Sequence, residues 1–218
     1  MAQKNTKTNL TVRILSASIG VSLIAAGSYF LYTQLTAPKK VIVQAPLAVA
    51  KASVKKKTEQ EKQAYTVPPS HPRELIIKKL GIDANILAVG SVEGTLSAPG
   101  SAWDAGWYNQ SALPGRGSGA LLLDGHVNDA LGSPGIFYNL TSLTKDDKIV
   151  IERGDGQKFT YAVTDVQDIP LEKVDMNAVL ASAEPGKEGL NLITCGGLYD
   201  FQKKTYDHRI IVFSVRVS

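Results

Sequence analysis

The first pattern in the chain is a long uncharged apolar segment close to its N-terminus. Residues 14–38 contain no Asp, Glu, Lys or Arg, and up to Tyr32 they consist only of Ile, Leu, Val, Ala, Gly, Ser, Phe and Tyr. A helix of about 20 apolar residues spans a bilayer core, whereas the apolar core of a cleaved signal peptide has about 7–15 residues. We therefore expect one transmembrane helix over residues 14–36, preceded by a short cytoplasmic tail at residues 1–13.

A polar segment without periodicity, residues 37–70, follows this predicted helix and is rich in Lys, Ala, Gln and Pro. Such a composition buries too little apolar surface to offset the entropy of folding, so we expect a flexible linker. Lys and Arg lie on both sides of the apolar segment and do not settle its orientation. The short N-terminal tail and the large C-terminal part favour a single-pass protein of the cell membrane, with residues 71–218 outside the cytoplasm.

Apolar and polar positions in residues 71–218 form short runs separated by Gly, Pro, Asn and Asp. Such runs predict β-strands joined by turns. The expected strands are residues 74–79, 82–89, 120–123, 149–152, 158–164, 190–194 and 209–217. One helix is expected over residues 173–183. This is an all-β pattern with small helices, which is typical of a barrel or a sandwich.

The net charge of the chain, +4, is divided unevenly along it. Residues 1–70 contain 10 Lys or Arg and 2 Asp or Glu, a net charge of +8, whereas residues 71–218 contain 14 and 18, a net charge of −4. Domains that bind nucleic acids are usually basic because they neutralise phosphates. We therefore expect no nucleic-acid partner for the predicted β-domain.

Three side chains of the predicted β-domain are candidates for nucleophilic chemistry. Cys195 is the only cysteine and directly follows the apolar run 190–194. His126 comes shortly after the run 120–123, and Arg209 is the first residue of the last predicted strand. A lone cysteine cannot form an internal disulfide, so it is either an inert buried residue or a reactive thiol. Taken singly, the histidine is typical of a hydrogen-bonded loop and the arginine of a protein surface. Their combination and order favour a reactive site.

Several short segments resemble the motifs of the sortase family. They are Leu192-Ile193-Thr194-Cys195, Tyr206-Asp207-His208-Arg209, Gly125-His126 and Gly106-Trp107-Tyr108. The resemblance covers residues 72–217, and the run Thr194-Cys195-Gly196-Gly197 looks closest to class F sortases. The order of anchor, linker and domain also matches that family.

The resemblance implies a closed eight-stranded β-barrel and a cysteine transpeptidase of the Gram-positive cell surface. It implies that Cys195 cleaves a C-terminal Leu-Pro-x-Thr-Gly signal of surface proteins and forms a thioester. The acyl group then passes to an amine of a peptidoglycan precursor or to a lysine of another surface protein, such as a pilin. His126 would act as acid and base, Arg209 would stabilise the oxyanion, and Thr194 would contact the substrate. The connection 166–189 would supply an apolar groove wall.

We expect no metal ion and no cofactor. The acidic residues between 165 and 175 match no calcium loop in their spacing, and no zinc-like cluster is present in the sequence. Two other functions stay open. The first is an envelope cysteine hydrolase or a peptidoglycan transpeptidase, although those transpeptidases have a histidine shortly before the cysteine and Cys195 does not. The second is a non-catalytic β-domain that binds a surface partner.

Overall fold

The computed structural model of the protein describes residues 64–92 and 95–218. The predicted cytoplasmic tail, the predicted transmembrane helix at residues 14–36 and the linker up to residue 63 lie outside the described residues. Within the described ranges, no helix combines the length and the apolar character that crossing a membrane requires.

The described part of the chain folds mainly into β-strands. The strands are β1 Pro72–Ile77, β2 Ile82–Val89, β3 Ser91–Val92, β4 Thr95–Leu96, β5 Ala105–Tyr108, β6 Ala120–Asp124, β7 Lys148–Arg153, β8 Lys158–Pro170, β9 Gly189–Asp200 and β10 Thr205–Arg216. One α-helix, α1, spans Met176–Leu180, and 3-10 turns span Lys78–Leu80, Leu140–Ser142 and Leu171–Lys173. The predicted all-β class is confirmed.

Eight of these strands close into a barrel in the order β1-β2-β5-β6-β9-β10-β8-β7, and β7 pairs with β1. Two neighbouring pairs, β2–β5 and β6–β9, are parallel, and the other pairs are antiparallel. β3 and β4 form a separate two-stranded sheet. The closed eight-stranded barrel that the resemblance implies is therefore present.

Side chains alternate between the inside and the outside of the barrel along each strand. The inside is filled by a large apolar cluster to which β6 contributes Leu121 and Leu123, both without solvent exposure. β9 adds Leu190 and Leu192 to the same cluster. Burial of each such leucine contributes about 1.5–3 kcal/mol, so this core is the main stabilising element of the barrel.

A second apolar cluster lies on the outer face of the barrel, over β6, β9 and β10. Its buried members are Leu122, Ile193, Ile211 and, from α1, Val179. Half-buried residues from the neighbouring segments pack against them, namely Leu96, Tyr108, Ile169, Val174, Leu180 and Phe213. We call these ten residues the outer cluster. The barrel core covers one face of β6 and the outer cluster covers the other, so the middle of this strand is apolar at every position.

The helix predicted over residues 173–183 is wrong in its extent. α1 has only five residues, begins after Asp175, whose side chain accepts a hydrogen bond from Asn177 N (2.9 Å), and ends where Ala181 is extended. Buried Asn191 of β9 donates hydrogen bonds to the carbonyls of Val179 (2.7 Å) and Ala181 (2.9 Å). These bonds satisfy the carbonyls of Val179 and Ala181 at the end of α1. A longer helix would need the same carbonyls as acceptors for its own backbone hydrogen bonds.

β9 and β10 extend further than predicted. They form a hairpin that continues to Asp200 and Thr205 and turns at residues 201–204. The sequence pattern ended at Thr194 because Gly196 and Gly197 interrupt the apolar alternation. The hairpin contains both Cys195, on β9, and Arg209, on β10.

Candidate active site

Cys195 and Arg209 lie directly opposite each other on neighbouring strands. The register of β9 with β10 pairs Arg209 with Cys195 and Ile211 with Ile193. Ile193 and Ile211 belong to the outer cluster, and residues two positions apart on a strand share a face. The thiol and the guanidinium therefore sit on the outer face of the barrel, next to the outer cluster.

The guanidinium of Arg209 is held in place by oxygen atoms of its own strand. Nη1 donates to the carbonyls of His208 (2.8 Å) and Tyr206 (3.1 Å), and Nη2 donates to Thr205 Oγ1 (3.2 Å). A planar guanidinium fixed in this way is a permanent cation with defined donor directions. It can therefore present a positive charge to a group bound at Cys195.

Opposing effects set the pKa of the Cys195 thiol. Partial burial raises this pKa, the positive charge of Arg209 lowers it, and the negative charge of Asp124 raises it again. The balance is a pKa above the ordinary value of a cysteine. At neutral pH the resting group is therefore the thiol, and thiolate formation needs a base or a further change in surroundings.

Thr194 lies one residue before the cysteine and faces the opposite side of β9. Its side chain is buried, and its Oγ1 donates a hydrogen bond to the carbonyl of Gly125 (2.7 Å). The amide of Gly125 in turn donates to the carbonyl of Ile193 (3.3 Å). These two bonds tie the end of β6 to the cysteine strand, and the role of Thr194 in substrate binding stays a prediction.

His126 follows β6 directly after this anchored glycine. A side chain on Gly125 would collide with the ring of Phe137, so the close approach of the loop to the core requires glycine there. His126 Nε2 lies 2.8 Å from the carbonyl oxygen of Pro99. A carbonyl only accepts, so Nε2 carries the proton and Nδ1 is the free acceptor. Within the described residues, no hydrogen bond joins this ring to Cys195.

An open cleft of about 570 Å³ lies beside His126. Its lining residues come from the loop before β5 and the loop after β6, and they are Gly100, Ser101, Ala102, Trp103, His126, Asn128, Asp129 and Ala130. Asn128 Oδ1 accepts a hydrogen bond from Tyr206 OH (2.8 Å), which links this cleft to the β9–β10 hairpin. No residue of the outer cluster lines the cleft, so the space beside His126 is separate from that cluster.

His208, the residue beside Arg209, is engaged elsewhere. Its Nδ1 lies 2.7 Å from Asp168 Oδ1 on β8, and this half-exposed pair lies on the neighbouring strand pair. In the parts of the chain that the structure describes, no group of three or more His, Cys, Asp or Glu residues is arranged to hold a metal ion.

Asp124 carries an ionisable group in this region and was not among the residues predicted from the sequence. It ends β6, two residues before His126, and it acts electrostatically on Cys195. A signal was present in the sequence, since a carboxylate directly follows the apolar run 120–123. Its burial depends on residues far away in the chain, which no local pattern shows.

Comparison with known proteins agrees with this geometry. A family model described as Sortase domain matches residues 75–217. The lid mutant of sortase A from Corynebacterium diphtheriae is 25% identical, with a TM-score of 0.52, and the match covers 72% of this chain and 74% of that one. No curated protein matches the chain.

Two further solved structures share the fold. Sortase C-1 from Actinomyces oris is 22% identical, with a TM-score of 0.53, and the match covers 76% of this chain and 83% of that one. The pilus-related sortase C of Group B Streptococcus is 20% identical, with a TM-score of 0.52 and 70% of each chain covered. These relatives are class A and class C sortases, and the class F assignment stays a prediction. The chain belongs to the sortase family, the members of which are cysteine transpeptidases.

Proposed function

We propose that this protein is a membrane-anchored sortase that cleaves a C-terminal Leu-Pro-x-Thr-Gly signal through Cys195 and transfers the acyl group to an amine. The observation that supports this most directly is the register that sets Cys195 opposite Arg209 beside the outer cluster. Residues 14–36 would anchor the protein in the cell membrane, with the barrel outside the cytoplasm. The protein would need no metal or cofactor for this chemistry.

The first half-reaction forms a thioester. The Cys195 thiol gives its proton to His126 Nδ1, the acceptor that Pro99 leaves free, and the thiolate attacks the threonyl carbonyl carbon. The tetrahedral oxyanion is stabilised by the Arg209 guanidinium, a type of contact whose loss typically lowers the rate by about 100–1,000-fold. The C–N bond then breaks, and the leaving glycyl amine takes the proton from His126.

The outer cluster supports this choice of substrate. Ile169, Val174 and Leu180 keep part of their apolar surface exposed next to the strands that carry Cys195 and Arg209. Apolar walls of this kind suit the leucine and proline side chains of a sorting signal. The connection 166–189 is thus proposed as the wall of the groove, with surface proteins that carry such a signal as donors.

The cleft beside His126 supports an amine as the second substrate. In the second half-reaction the amine nitrogen attacks the thioester carbonyl and gives a proton to His126. The C–S bond then breaks, and the released Cys195 thiolate takes the proton back from His126. The cleft reaches His126 without crossing the outer cluster, so an amine can approach while the acyl chain occupies the groove. A peptidoglycan precursor or a lysine of another surface protein would provide this amine.

The test is a transfer assay with the full-length protein, a labelled Leu-Pro-x-Thr-Gly peptide and an added primary amine. We expect a peptide–amine product with the wild-type protein and none with Cys195→Ala. A carboxylic acid product at every amine concentration would favour an envelope hydrolase instead. Absence of any cleavage over a broad peptide set would favour a surface-binding β-domain.

A further inference from the structure

The carboxyl group of Asp124 faces the same side of the barrel as the thiol of Cys195. Asp124 is paired with Ile193 in the parallel register of β6 with β9, and paired residues point to the same face. Ile193 belongs to the outer cluster, and Cys195 lies two residues further along the same face. The end of β6 therefore brings an acidic group to the strand position beside the nucleophile.

This carboxyl group is enclosed by residues from three other segments. Asp124 also pairs with Gly106 of β5, where a Cβ atom would collide with Asp124 Oδ1. That same missing Cβ would lie 3.0 Å from Val89 Cγ2 and 3.1 Å from Pro99 Cδ. Glycine at position 106 therefore leaves the space that the Asp124 carboxyl group occupies, and the apolar side chains of Val89 and Pro99 border that space.

Oδ1 of Asp124 is buried and has no hydrogen-bond partner among the described residues. A carboxylate in such a place loses its hydration without compensation, which favours the neutral acid. Burial accordingly raises the pKa of Asp124 to about 7. The group is thus positioned to change its charge close to neutral pH.

The space beside the Asp124 carboxyl group is bordered by Val89 of β2, Pro99 of the loop before β5 and Gly106 of β5, none of which titrates. The titratable groups of the described residues around Cys195 are Tyr206 and Arg209 on β10 and His126 on the loop that follows β6. Arg209 favours the thiolate of Cys195, and an ionised Asp124 opposes it.

We propose that Asp124 is a further functional residue of the site, which acts on Cys195 through its charge and sets how readily the thiolate forms. As a neutral acid it leaves the effect of Arg209 unopposed, and as a carboxylate it holds the thiol protonated. Two negative charges in one enclosed region disfavour each other, so the two groups titrate as a coupled pair. This inference rests on the proposed role of Cys195 as the nucleophile.

The test measures the rate at which iodoacetamide alkylates the full-length protein between pH 5 and pH 10. Because the chain has one cysteine, the rate reports the thiolate of Cys195 alone. In Asp124→Asn we expect the midpoint of the curve to fall by about 0.5–1 pH unit, which makes alkylation at pH 7.5 about 3–10 times faster. Asp155→Asn removes an exposed carboxylate from the turn between β7 and β8 and is the matched control, with no expected shift.

An unchanged or raised midpoint in Asp124→Asn would overturn the proposal, and so would an equal shift in the control. If the variant does not fold, the wild-type curve decides. Coupling to a group that titrates near pH 7 makes that curve broader than a single ionisation, and a curve that fits one ionisation contradicts the proposal. The assay uses no sorting peptide, so its outcome is independent of whether the protein forms a thioester.

Discussion

At the scale of single residues, the site depends on how Arg209 is presented to Cys195. Three acceptors on its own strand hold the guanidinium, while the thiol opposite it keeps a raised pKa. A fixed guanidinium can act in two ways, as a cation that favours the thiolate and as a directed donor to an oxyanion. These two roles can be separated by substitution, because lysine keeps the charge and loses the planar fork.

The first prediction concerns Arg209→Lys. We expect kcat/KM for the sorting peptide to fall by about 100-fold, because the oxyanion loses its directed donor. The pH midpoint of iodoacetamide alkylation should change little, because a positive charge remains opposite Cys195. Arg116→Lys, an exposed arginine in the loop before β6, serves as the control and should retain full activity. A large shift of the thiol midpoint with unchanged peptide turnover would contradict this assignment.

Some of the reactive residues of the site could be predicted from the sequence, and others could not. Cys195, His126 and Arg209 were predicted because each belongs to a recognisable motif at the end or start of a strand. Asp124 was missed because its environment is built by Gly106, Val89 and Pro99, which are distant in the chain. The hydrogen bond from Thr194 to Gly125 could not be predicted from the sequence either, since it depends on the parallel pairing of β6 with β9.

At the scale of elements, the loops around His126 form a cleft that is separate from the outer cluster. The loop after β6 contributes Asn128, Asp129 and Ala130 to this cleft. Asp129 fixes the loop by accepting hydrogen bonds from the amides of Leu131 and Ser133. The proposed function assigns the cleft to the amine. It follows that narrowing the cleft should affect only the second half-reaction.

The second prediction therefore uses Ala130→Trp, which adds bulk to an exposed wall of the cleft. Thioester formation should be unchanged, while the ratio of transfer to hydrolysis should fall about tenfold, equivalent to about 1.4 kcal/mol of amine binding. Leu131→Trp is the matched control, because Leu131 is 92% exposed and does not line the cleft. Product analysis at increasing amine concentration checks the ratio. An equal loss in both half-reactions would mean that the cleft serves the peptide instead.

Element boundaries were harder to predict than element types. The strands with continuous apolar runs were predicted correctly, because a strand that is covered on both faces has apolar side chains at successive positions. The extension of β9 and β10 to Asp200 and Thr205 was missed, since backbone pairing in a hairpin needs no apolar pattern. The helix in the 166–189 connection was overestimated because Asn191 provides tertiary hydrogen bonds to carbonyls that local propensity assigns to a helix.

At the scale of the whole molecule, a buried carboxylate joins distant parts of the barrel. Glu188 is 3% exposed, and its side chain accepts hydrogen bonds from Gly115 N (2.8 Å), Gly117 N (2.9 Å) and Tyr161 OH (2.5 Å). Burial acts to raise the pKa of Glu188, but these bonds and the charge of Arg216 outweigh it and leave the pKa lowered. The glycine-rich loop before β6 is thereby fastened to β8 and β10.

The third prediction is a pH-dependent loss of stability in Glu188→Gln. The amide cannot satisfy the same donors, so the free energy of unfolding at pH 7 should fall by about 2–3 kcal/mol in denaturant titrations. The pKa of Glu188 is lower in the folded protein than in the unfolded chain. The stability that this difference provides is complete above the ordinary carboxyl pKa and is lost as the pH falls through the pKa of the folded protein. The difference between wild type and variant should therefore shrink below about pH 4.

Glu184→Gln is the control for this experiment. Glu184 pairs with Lys187 in the same connection, and both side chains are about half exposed. Exposed ion pairs contribute about 0–1 kcal/mol, so this variant should behave nearly as the wild type. A difference between Glu188→Gln and wild type that stays constant from pH 3 to pH 8 would contradict the assigned role of the carboxylate.

The central claim is that Cys195 becomes acylated by a sorting signal, and the intact mass of the full-length protein tests it most directly. After brief incubation with a Leu-Pro-x-Thr-Gly peptide, the wild-type protein should gain the mass of the peptide up to its threonine, and added amine should remove that mass. Cys195→Ala should gain nothing. An adduct that persists in Cys195→Ala, or the absence of an adduct on a folded wild-type protein over a broad peptide set, would contradict the account.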